Sequence, residues 1–264
     1  MSRSTAARIS KRLRTRLHPR PLSTTVTGGV AWLRLERPQA GNRITVDLAQ
    51  ALCDAAAEIE LDESVVAVVL AAAGSDFCLG VEGNGDWERR VDWVKAIGNL
   101  TRPVIAAIQG DAFAEGFELA LACDLRVVSD RARFAMSHLS MGHLPLHGGT
   151  QRLPRIVGRM RALDLLLTGR SIDAAEAAAM GLATRTIAPE EFDQTLDALV
   201  SELRTKGPVA LRFAKEAVLK GSDLSLEQGI RLEEDLYVLL QTTRDRDEGV
   251  HAFLEKRKPV FHGK

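Results

Sequence analysis

Residues 103–124 read PVIAAIQGDAFAEGFELALACD, and this stretch decides which fold class the chain can adopt. The apolar, partly β-branched run Val104–Ile108 has the length of a strand and predicts one that is buried on both faces. A turn opens at Gly110, and the Ala/Leu-rich segment from about Gly116 onward predicts a helix. A strand, a tight turn and a helix direct backbone N–H groups and a helix dipole toward an anion. Either an anion site lies here, or Glu118 in the first turn only complements the dipole.

Further elements are predicted on both sides of this stretch. The strand-like runs are residues 65–70, residues 125–128, and a hairpin that joins 24–27 to Val30–Leu35 through Gly28-Gly29. Thr45 is a suitable N-cap for an amphipathic helix that runs to about Glu60. Strands alternate with helices on this scale in α/β folds. The sequence therefore predicts an α/β fold.

The composition changes along the chain and predicts three regions. Residues 1–22 form a basic arm, residues 23–188 form the α/β core, and residues 189–264 form a helical region without strand-like runs. The helical region is interrupted near Gly207-Pro208 and at Gly221, where glycine and proline end helices. We expect one core domain with an appended helical part.

The charges balance overall but not locally. The chain has 35 lysines and arginines against 35 aspartates and glutamates, which argues against a domain built to coat nucleic acid. Residues 1–20 contain seven basic residues and no acid, so the other residues carry 28 basic against 35 acidic groups, a net charge of −7. An acid-free, arginine-rich start is typical either of a solvated arm or of a mitochondrial transit peptide.

The apolar runs and the cysteines indicate in which compartment the protein is expected. The chain has no uninterrupted apolar run of about 18 residues, so no transmembrane helix is predicted. Cys53, Cys78 and Cys123 are far apart and lack a CxxC spacing, which argues against disulfides and a zinc cage and favours a reducing compartment. We expect a cytoplasmic protein, or a mitochondrial matrix protein if the arm is a transit peptide.

Two other segments carry candidate chemistry. The Gly-bearing loop 72–83 also follows a predicted buried strand, so two loops could each offer one backbone N–H to one oxygen, as in an oxyanion hole. His138, His143 and His147 fall within ten positions, but no acid or cysteine joins them and Pro145 breaks any common helix. We therefore expect no metal site.

The residues from about Val30 to Lys264 resemble the enoyl-CoA hydratase/isomerase, or crotonase, superfamily. The matching motifs are Arg37-Pro38 with Asn42, FCLG at 77–80, PVIAA at 103–107 with Gly110, ELA at 118–120 with Cys123-Asp124, GGTQRLP at 148–154, LTG at 167–169, residues 174–181, and AFLEKRKPVF at 252–261. The resemblance implies a spiral of ββα units with a C-terminal all-helical trimerisation region. It also implies a homotrimer or a dimer of trimers.

The resemblance implies an acyl-CoA thioester substrate, with coenzyme A as part of that substrate and no permanently bound cofactor. The enolate would be stabilised in an oxyanion hole formed by the backbone N–H groups of Leu79 and Glu115, and Glu118 would be the acid/base. The implied substrate-binding residues are Gly80, Val81, Glu82, Trp87, Leu144, Leu146 and His147. The implied coenzyme A contacts are Ala40, Asn42, Arg43, Ile44 and Lys256, the last from the same or a neighbouring subunit.

This chain departs from the family pattern at three places. The second glutamate of the hydratases is replaced by His138, the usual glycine at position 115 is Glu115, and the small residues before Gly148 are Leu146-His147. We expect Glu115 to act through its backbone N–H, with a steric cost if its φ must be positive. A less favoured alternative is that Glu115, three residues before Glu118 on the same side of the helix, supplies the second carboxylate. The role of His138 has three interpretations. It could replace the missing carboxylate as an acid/base with a pKa of ~6.5, or it could be a wall of the pocket while Glu118 alone acts as the base. In the third interpretation the site is degenerate and has no catalytic function.

These readings lead to three functional hypotheses. The first is an enoyl-CoA hydratase/isomerase-type lyase that uses Glu118 and His138. The second is an acyl-CoA isomerase, hydrolase or decarboxylase that uses one carboxylate. The third is a non-catalytic crotonase-fold protein that binds RNA or a partner through the basic arm, although that arm lacks aromatic residues for stacking.

Overall fold

The structure is a computed structural model that describes residues 20–83, 87 and 90–264. Nearly all of the predicted basic arm, residues 1–19, lies outside the described residues. In the described part, one sheet has the order β1-β2-β3-β4-β6-β9, and a smaller one has the order β5-β7-β8. The strands are β1 (Leu22–Thr27), β2 (Val30–Leu35), β3 (Ala67–Ala72), β4 (Val104–Ile108), β5 (Ala112–Phe113), β6 (Leu125–Ser129), β7 (Arg133–Ala135), β8 (Ser171–Asp173) and β9 (Arg185–Ile187).

Helices connect and cover these strands. They are α1 (Val46–Leu61), α2 (Trp93–Gly98), α3 (Glu115–Ala122), α4 (Gly149–Val157), α5 (Arg159–Thr168), α6 (Ala174–Ala179), α7 (Phe192–Arg204), α8 (Pro208–Gly221), α9 (Leu226–Gln241) and α10 (Arg244–Leu254). Short 3₁₀ turns occupy Pro38–Ala40, Ser137–Met141 and Pro189–Glu191. The predicted N-cap of α1 is confirmed, because the Thr45 hydroxyl accepts a hydrogen bond from the Leu48 N–H.

The large sheet is parallel except for the β1–β2 hairpin, and both of its faces are covered. Successive residues of β3 face opposite sides: Val68 belongs to the larger hydrophobic core and Val69 to a smaller one. The smaller core is closed by α7, whose Phe192 and Leu196 are buried there. This two-sided burial explains why the strands are continuous apolar runs, and the predicted α/β fold is confirmed.

The small sheet positions the segment that carries His138. Strand β5 pairs in parallel with β7, and the Ala114 N–H donates to the Ala135 carbonyl at 2.9 Å. The chain leaves β7 and enters the 3₁₀ turn Ser137–Met141, where His138 is completely buried. The end of β7 and the start of α3 are thereby held side by side.

Helices α7 to α10 follow the core, as predicted for residues 189–264, whereas the short strands β8 and β9 were not predicted. Helix α8 is fastened to the core by Lys215, whose Nζ lies 2.7 Å from Asp124 Oδ2 and donates to the Arg102 carbonyl at 3.0 Å. None of the helices described is both long and apolar enough to cross a membrane.

Candidate active site

The start of α3 is pressed against the loop that follows β3. The Phe113 N–H donates to the Cys78 carbonyl at 2.9 Å, and a Cβ added to Gly116 would lie 2.0 Å from that same oxygen. A side chain therefore cannot be accommodated at position 116 without moving the backbone. The chain enters the helix through Ala114, which has a φ of 47°. The strained position is thus Ala114, and the steric cost considered for Glu115 does not arise because its φ is not positive.

Three side chains converge at this junction. The Nε2 atom of His138 lies 3.1 Å from Glu115 Oε1 and 3.2 Å from Glu118 Oε2. Glu118 and His138 are completely buried and Glu115 is 4% exposed. The side chain of Glu115 is therefore part of the site, although the sequence favoured a role through its backbone.

The two carboxylates set the charge of the imidazole. Burial by itself lowers the pKa of His138, but the hydrogen bonds and charges of Glu115 and Glu118 outweigh burial and raise that pKa to about 9. Burial raises the pKa of Glu115, yet His138, the residue's own N–H and the Val81 N–H together lower it below its ordinary value. At neutral pH the site thus holds an imidazolium, not an imidazole near its ordinary pKa of ~6.5.

The other oxygen of Glu118 is fixed by the backbone before and at the start of α4. Its Oε1 accepts hydrogen bonds from the His147 N–H at 2.9 Å and from the Gly149 N–H at 2.7 Å. A Cβ added to Gly149 would lie 3.0 Å from this oxygen, so the close approach requires glycine. These bonds leave Oε2 directed at His138, and the GGTQRLP motif holds the catalytic candidate in place.

The backbone donors differ from the expected pair. The Leu79 N–H donates to the Gly41 carbonyl at 2.9 Å, so it is not available to a thioester oxygen and this assignment was wrong. The loop N–H that faces the cluster belongs to Val81, and it donates to Glu115 Oε2 at 3.0 Å. The bend at Gly80, with a φ of 98°, turns the chain between these two residues. Sequence alone could not show which N–H each loop already uses.

Two of the expected coenzyme A contacts are structural. The Asn42 side chain is completely buried, where its Oδ1 accepts from the Arg37 N–H at 2.9 Å and its Nδ2 donates to the Ala73 and Asp76 carbonyls, both at 2.8 Å. The side chain of Ile44 is also completely buried in the larger core. Neither side chain can reach a ligand, so a coenzyme A contact at either position would have to be made by the backbone.

The remaining coenzyme A candidates are accessible to different degrees. Arg43 is exposed and donates to the Leu79 carbonyl at 2.6 Å, so it lies against the loop of the site. Ala40 is half-buried one turn earlier. Lys256 is exposed after α10 at a φ of 56°, and in the described part of the chain no hydrogen bond or ion pair joins it to the site. One chain therefore brings Arg43, but not Lys256, to the site.

The expected substrate-lining residues differ in their exposure and in what they contact. Leu144 and Leu146 are 69% and 50% exposed, and the His147 ring contacts the buried Trp93 with ring centroids 4.9 Å apart. Leu146 and His147 also line a cleft of about 910 Å³ between α2, α4 and α8. Trp87 is half-buried against the larger core.

Glu82 is exposed and forms an ion pair with Arg37 at 2.5 Å. This pair holds the loop after Val81 to the turn that precedes Asn42. Glu82 therefore contacts Arg37 rather than the buried cluster.

The cluster also has the spacing of a cation site, since one ligand atom each of Glu115, Glu118 and His138 lie within 4.8 Å of one another. A metal ion would have to displace the proton that the raised pKa keeps on His138. The donor set thus fits a bound proton, and we assign no metal to it.

Comparisons with known proteins show the family to which the chain belongs. The family model described as enoyl-CoA hydratase/isomerase matches residues 25–264. The putative enoyl-CoA hydratase/isomerase YngF of Bacillus subtilis is 35% identical over 254 residues, which cover 92% of this chain and 98% of that protein. The chain belongs to the enoyl-CoA hydratase/isomerase family.

Other members of the enoyl-CoA hydratase/isomerase family are equally similar. The probable enoyl-CoA hydratase 2, mitochondrial, of Arabidopsis thaliana is 36% identical over 89% of this chain and 82% of that protein. The crystal structure of the enoyl-CoA hydratase from Bacillus anthracis matches with a TM-score of 0.88 and 32% identity, over 92% of this chain and all of that one. The protein is therefore an acyl-CoA enzyme of the enoyl-CoA hydratase/isomerase type.

Proposed function

We propose that the protein hydrates the α,β double bond of an enoyl-CoA thioester, with Glu118 and His138 as the acid/base pair. The observation that supports this most strongly is the 3.2 Å contact between Glu118 Oε2 and His138 Nε2 in a completely buried site. Both atoms can hold a proton, and they are of opposite charge when His138 is protonated. A carboxylate that accepts a proton and an imidazolium that donates one are the two functions that hydration requires.

The thioester oxygen would be bound by the Val81 N–H and by the N–H of Glu115 at the positive end of α3. Negative charge develops on this oxygen as the enolate forms, and these donors stabilise it there. One such donor typically contributes about 2.7–4 kcal/mol to transition-state stabilisation.

The groups of the site can give and take up every proton that this reaction moves. Glu118 takes a proton from water while the water oxygen bonds to C3, and the π electrons move onto the thioester oxygen. The enolate then takes a proton at C2 from the His138 imidazolium. Glu118 is left protonated and His138 neutral, and a proton passes directly from Oε2 to Nε2 to restore both groups.

A second candidate is double-bond isomerisation by Glu118 alone. The position of His138 favours this candidate, because its Nε2 lies 3.1 Å from Glu115 Oε1 and 3.2 Å from Glu118 Oε2. Held in this way, the imidazole could act only as a fixed wall of the site. Glu118 would then remove a proton at one carbon and return it at another, without water. The product would have the mass of the substrate, whereas hydration adds one water.

The Glu118→Gln variant tests the role of the carboxylate. We expect turnover of short and medium enoyl-CoAs to fall by about 10²-fold or more, because an amide cannot accept the proton, while the affinity for coenzyme A stays unchanged. The matched control is Glu58→Gln, an exposed glutamate on α1, which should retain full turnover. Unchanged turnover in Glu118→Gln would contradict the proposed mechanism.

We also propose that the enzyme is a homotrimer or a dimer of trimers built through α8 to α10. Large apolar side chains are exposed along these helices, namely Val218, Leu219, Leu226, Ile230, Tyr237, Val238, Leu239, Val250, Phe253 and Leu254. In such an assembly Lys256 of a neighbouring subunit would contact the coenzyme A phosphates, and Arg43 would contact them from the same chain. No resident cofactor and no nucleic acid are required by this scheme.

The compartment that we propose for the protein depends on whether the arm at residues 1–22 is removed. We propose a cytoplasmic location, or the mitochondrial matrix if the arm is removed as a transit peptide. The mass of the mature protein distinguishes the two, because cleavage removes the arm.

A further inference from the structure

The carboxylate of Glu115 lies where the proposed function requires a thioester oxygen. Its Oε2 atom is 3.0 Å from the Val81 nitrogen, which is the distance that a bound carbonyl oxygen would take. The N–H of Glu115 itself also faces this carboxylate. The Val81 donor of the proposed oxyanion hole is therefore already occupied by this side chain.

The carboxylate is enclosed in this position. Glu115 is 4% exposed, and a Cβ added to Gly80 would lie 2.8 Å from its Oε2. Two oxygens cannot lie at hydrogen-bonding distance from the Val81 N–H in so small a space. The Glu115 carboxylate and a thioester oxygen thus exclude each other.

We infer that the Glu115 carboxylate occupies the thioester-oxygen site of the free enzyme and must be displaced before an acyl-CoA binds productively. The inference rests on the proposed acyl-CoA activity and adds a specificity-determining residue to it. On displacement, Oε1 keeps its contact with His138 while Oε2 leaves Val81. Ligands with a carbonyl oxygen at this position compete with Glu115, whereas ligands without one leave it in place.

Saturated butyryl-CoA and free coenzyme A separate these two classes of ligand. Butyryl-CoA has the thioester oxygen but no double bond, so it binds without reacting, and free coenzyme A has no carbonyl at its sulfur. The Glu115→Ala variant removes the carboxylate and keeps the backbone N–H at position 115. Calorimetric titration should show butyryl-CoA binding about tenfold more tightly than to the wild type, the size of one charge-assisted hydrogen bond, and free coenzyme A unchanged.

Glu115→Gln is the matched control. Its amide oxygen can still accept the Val81 N–H, so the site stays occupied and butyryl-CoA affinity should remain within about twofold of the wild type. Equal tightening in Glu115→Gln and Glu115→Ala would overturn the inference, because charge rather than occupancy would then be responsible. If Glu115→Ala does not fold, Glu115→Gly also removes the carboxylate. Butyryl-CoA should then bind about tenfold more tightly to Glu115→Gly than to the wild type.

The remaining outcomes separate the inference from the proposed function. Butyryl-CoA binding that does not depend on residue 115, or an equal gain for free coenzyme A, overturns the inference alone. Failure of every folded variant and of the wild type to bind either ligand overturns the proposed acyl-CoA function together with the inference.

Discussion

His138 illustrates how two neighbours decide the chemistry of one residue. Isolated histidine titrates at about 6.5 and can either donate or accept a proton at neutral pH. In this fold the imidazole is buried between Glu115 and Glu118, which raise its pKa to about 9 and favour its protonated form. In the proposed mechanism His138 is therefore the acid and Glu118 is the base.

The titration of His138 is the first consequence at the residue scale. NMR of the imidazole should give a pKa of about 9 in the wild type and a value closer to the ordinary one in Glu115→Gln, which removes one negative charge. A wild-type titration near 6.5 would show that the carboxylates do not control this residue.

The same shift links stability to pH. The folded-state pKa lies above the ordinary value, so protonation of His138 stabilises the fold. This contribution is complete below about pH 6.5 and is lost as the pH rises through about 9. The free energy of unfolding of the wild type, measured by urea denaturation, should lose more between these pH values than that of Glu115→Gln. An equal loss in both proteins would argue against the coupling.

Sequence reasoning found Glu118 and His138 because motif positions carry over between family members. It failed at Leu79, where the deciding fact is that the N–H already bonds to the Gly41 carbonyl. It gave the side chain of Glu115 little weight and did not predict its bond to Val81, since only the approach of α3 to the loop at Val81 brings that carboxylate to an N–H. Such contacts depend on loops far apart in sequence.

At the scale of elements, the close contact between α3 and the loop at Cys78 holds the site together. Helix α3 has eight residues and depends on this docking, which depends on Gly116. The strands and α1 could be predicted from apolar runs and a capping threonine. The short strands β5, β8 and β9 could not, because two or three residues do not establish a periodicity.

Gly116→Ala tests this docking. The added Cβ would lie 2.0 Å from the Cys78 carbonyl oxygen, so we expect a loss of about 1–3 kcal/mol in the free energy of unfolding and a larger loss of activity. Gly221→Ala is the matched control, because its nearest neighbour would be Gly229 Cα at 4.0 Å. Thermal denaturation that is unchanged in Gly116→Ala would contradict the close contact.

At the scale of the whole molecule, the charge distribution bears on substrate recognition and the helical region bears on assembly. The part of the chain after residue 20 carries a net negative charge, yet the proposed substrate carries negatively charged phosphates. The phosphates must therefore be bound by individual basic residues such as Arg43 rather than by the overall charge. The exposed apolar side chains of α8 to α10 would be covered in an assembly.

Phe253→Asp tests the assembly. Phe253 is 82% exposed on α10, and a charge there should disfavour a buried interface, so the mass from analytical ultracentrifugation should fall toward that of a monomer. Leu61→Asp is the control, because Leu61 is 85% exposed at the end of α1, outside the helical region, and should leave the mass unchanged. A monomeric wild type would contradict the proposed trimer.

The central claim is that Glu118 and His138 add water across an enoyl-CoA double bond, and mass spectrometry of the products of an acyl-CoA panel tests it most directly. We predict a gain of one water, about 18 mass units, with coenzyme A retained, and one deuterium at C2 when the reaction runs in D₂O. A product of unchanged mass with a moved double bond, or the release of coenzyme A, would contradict the claim.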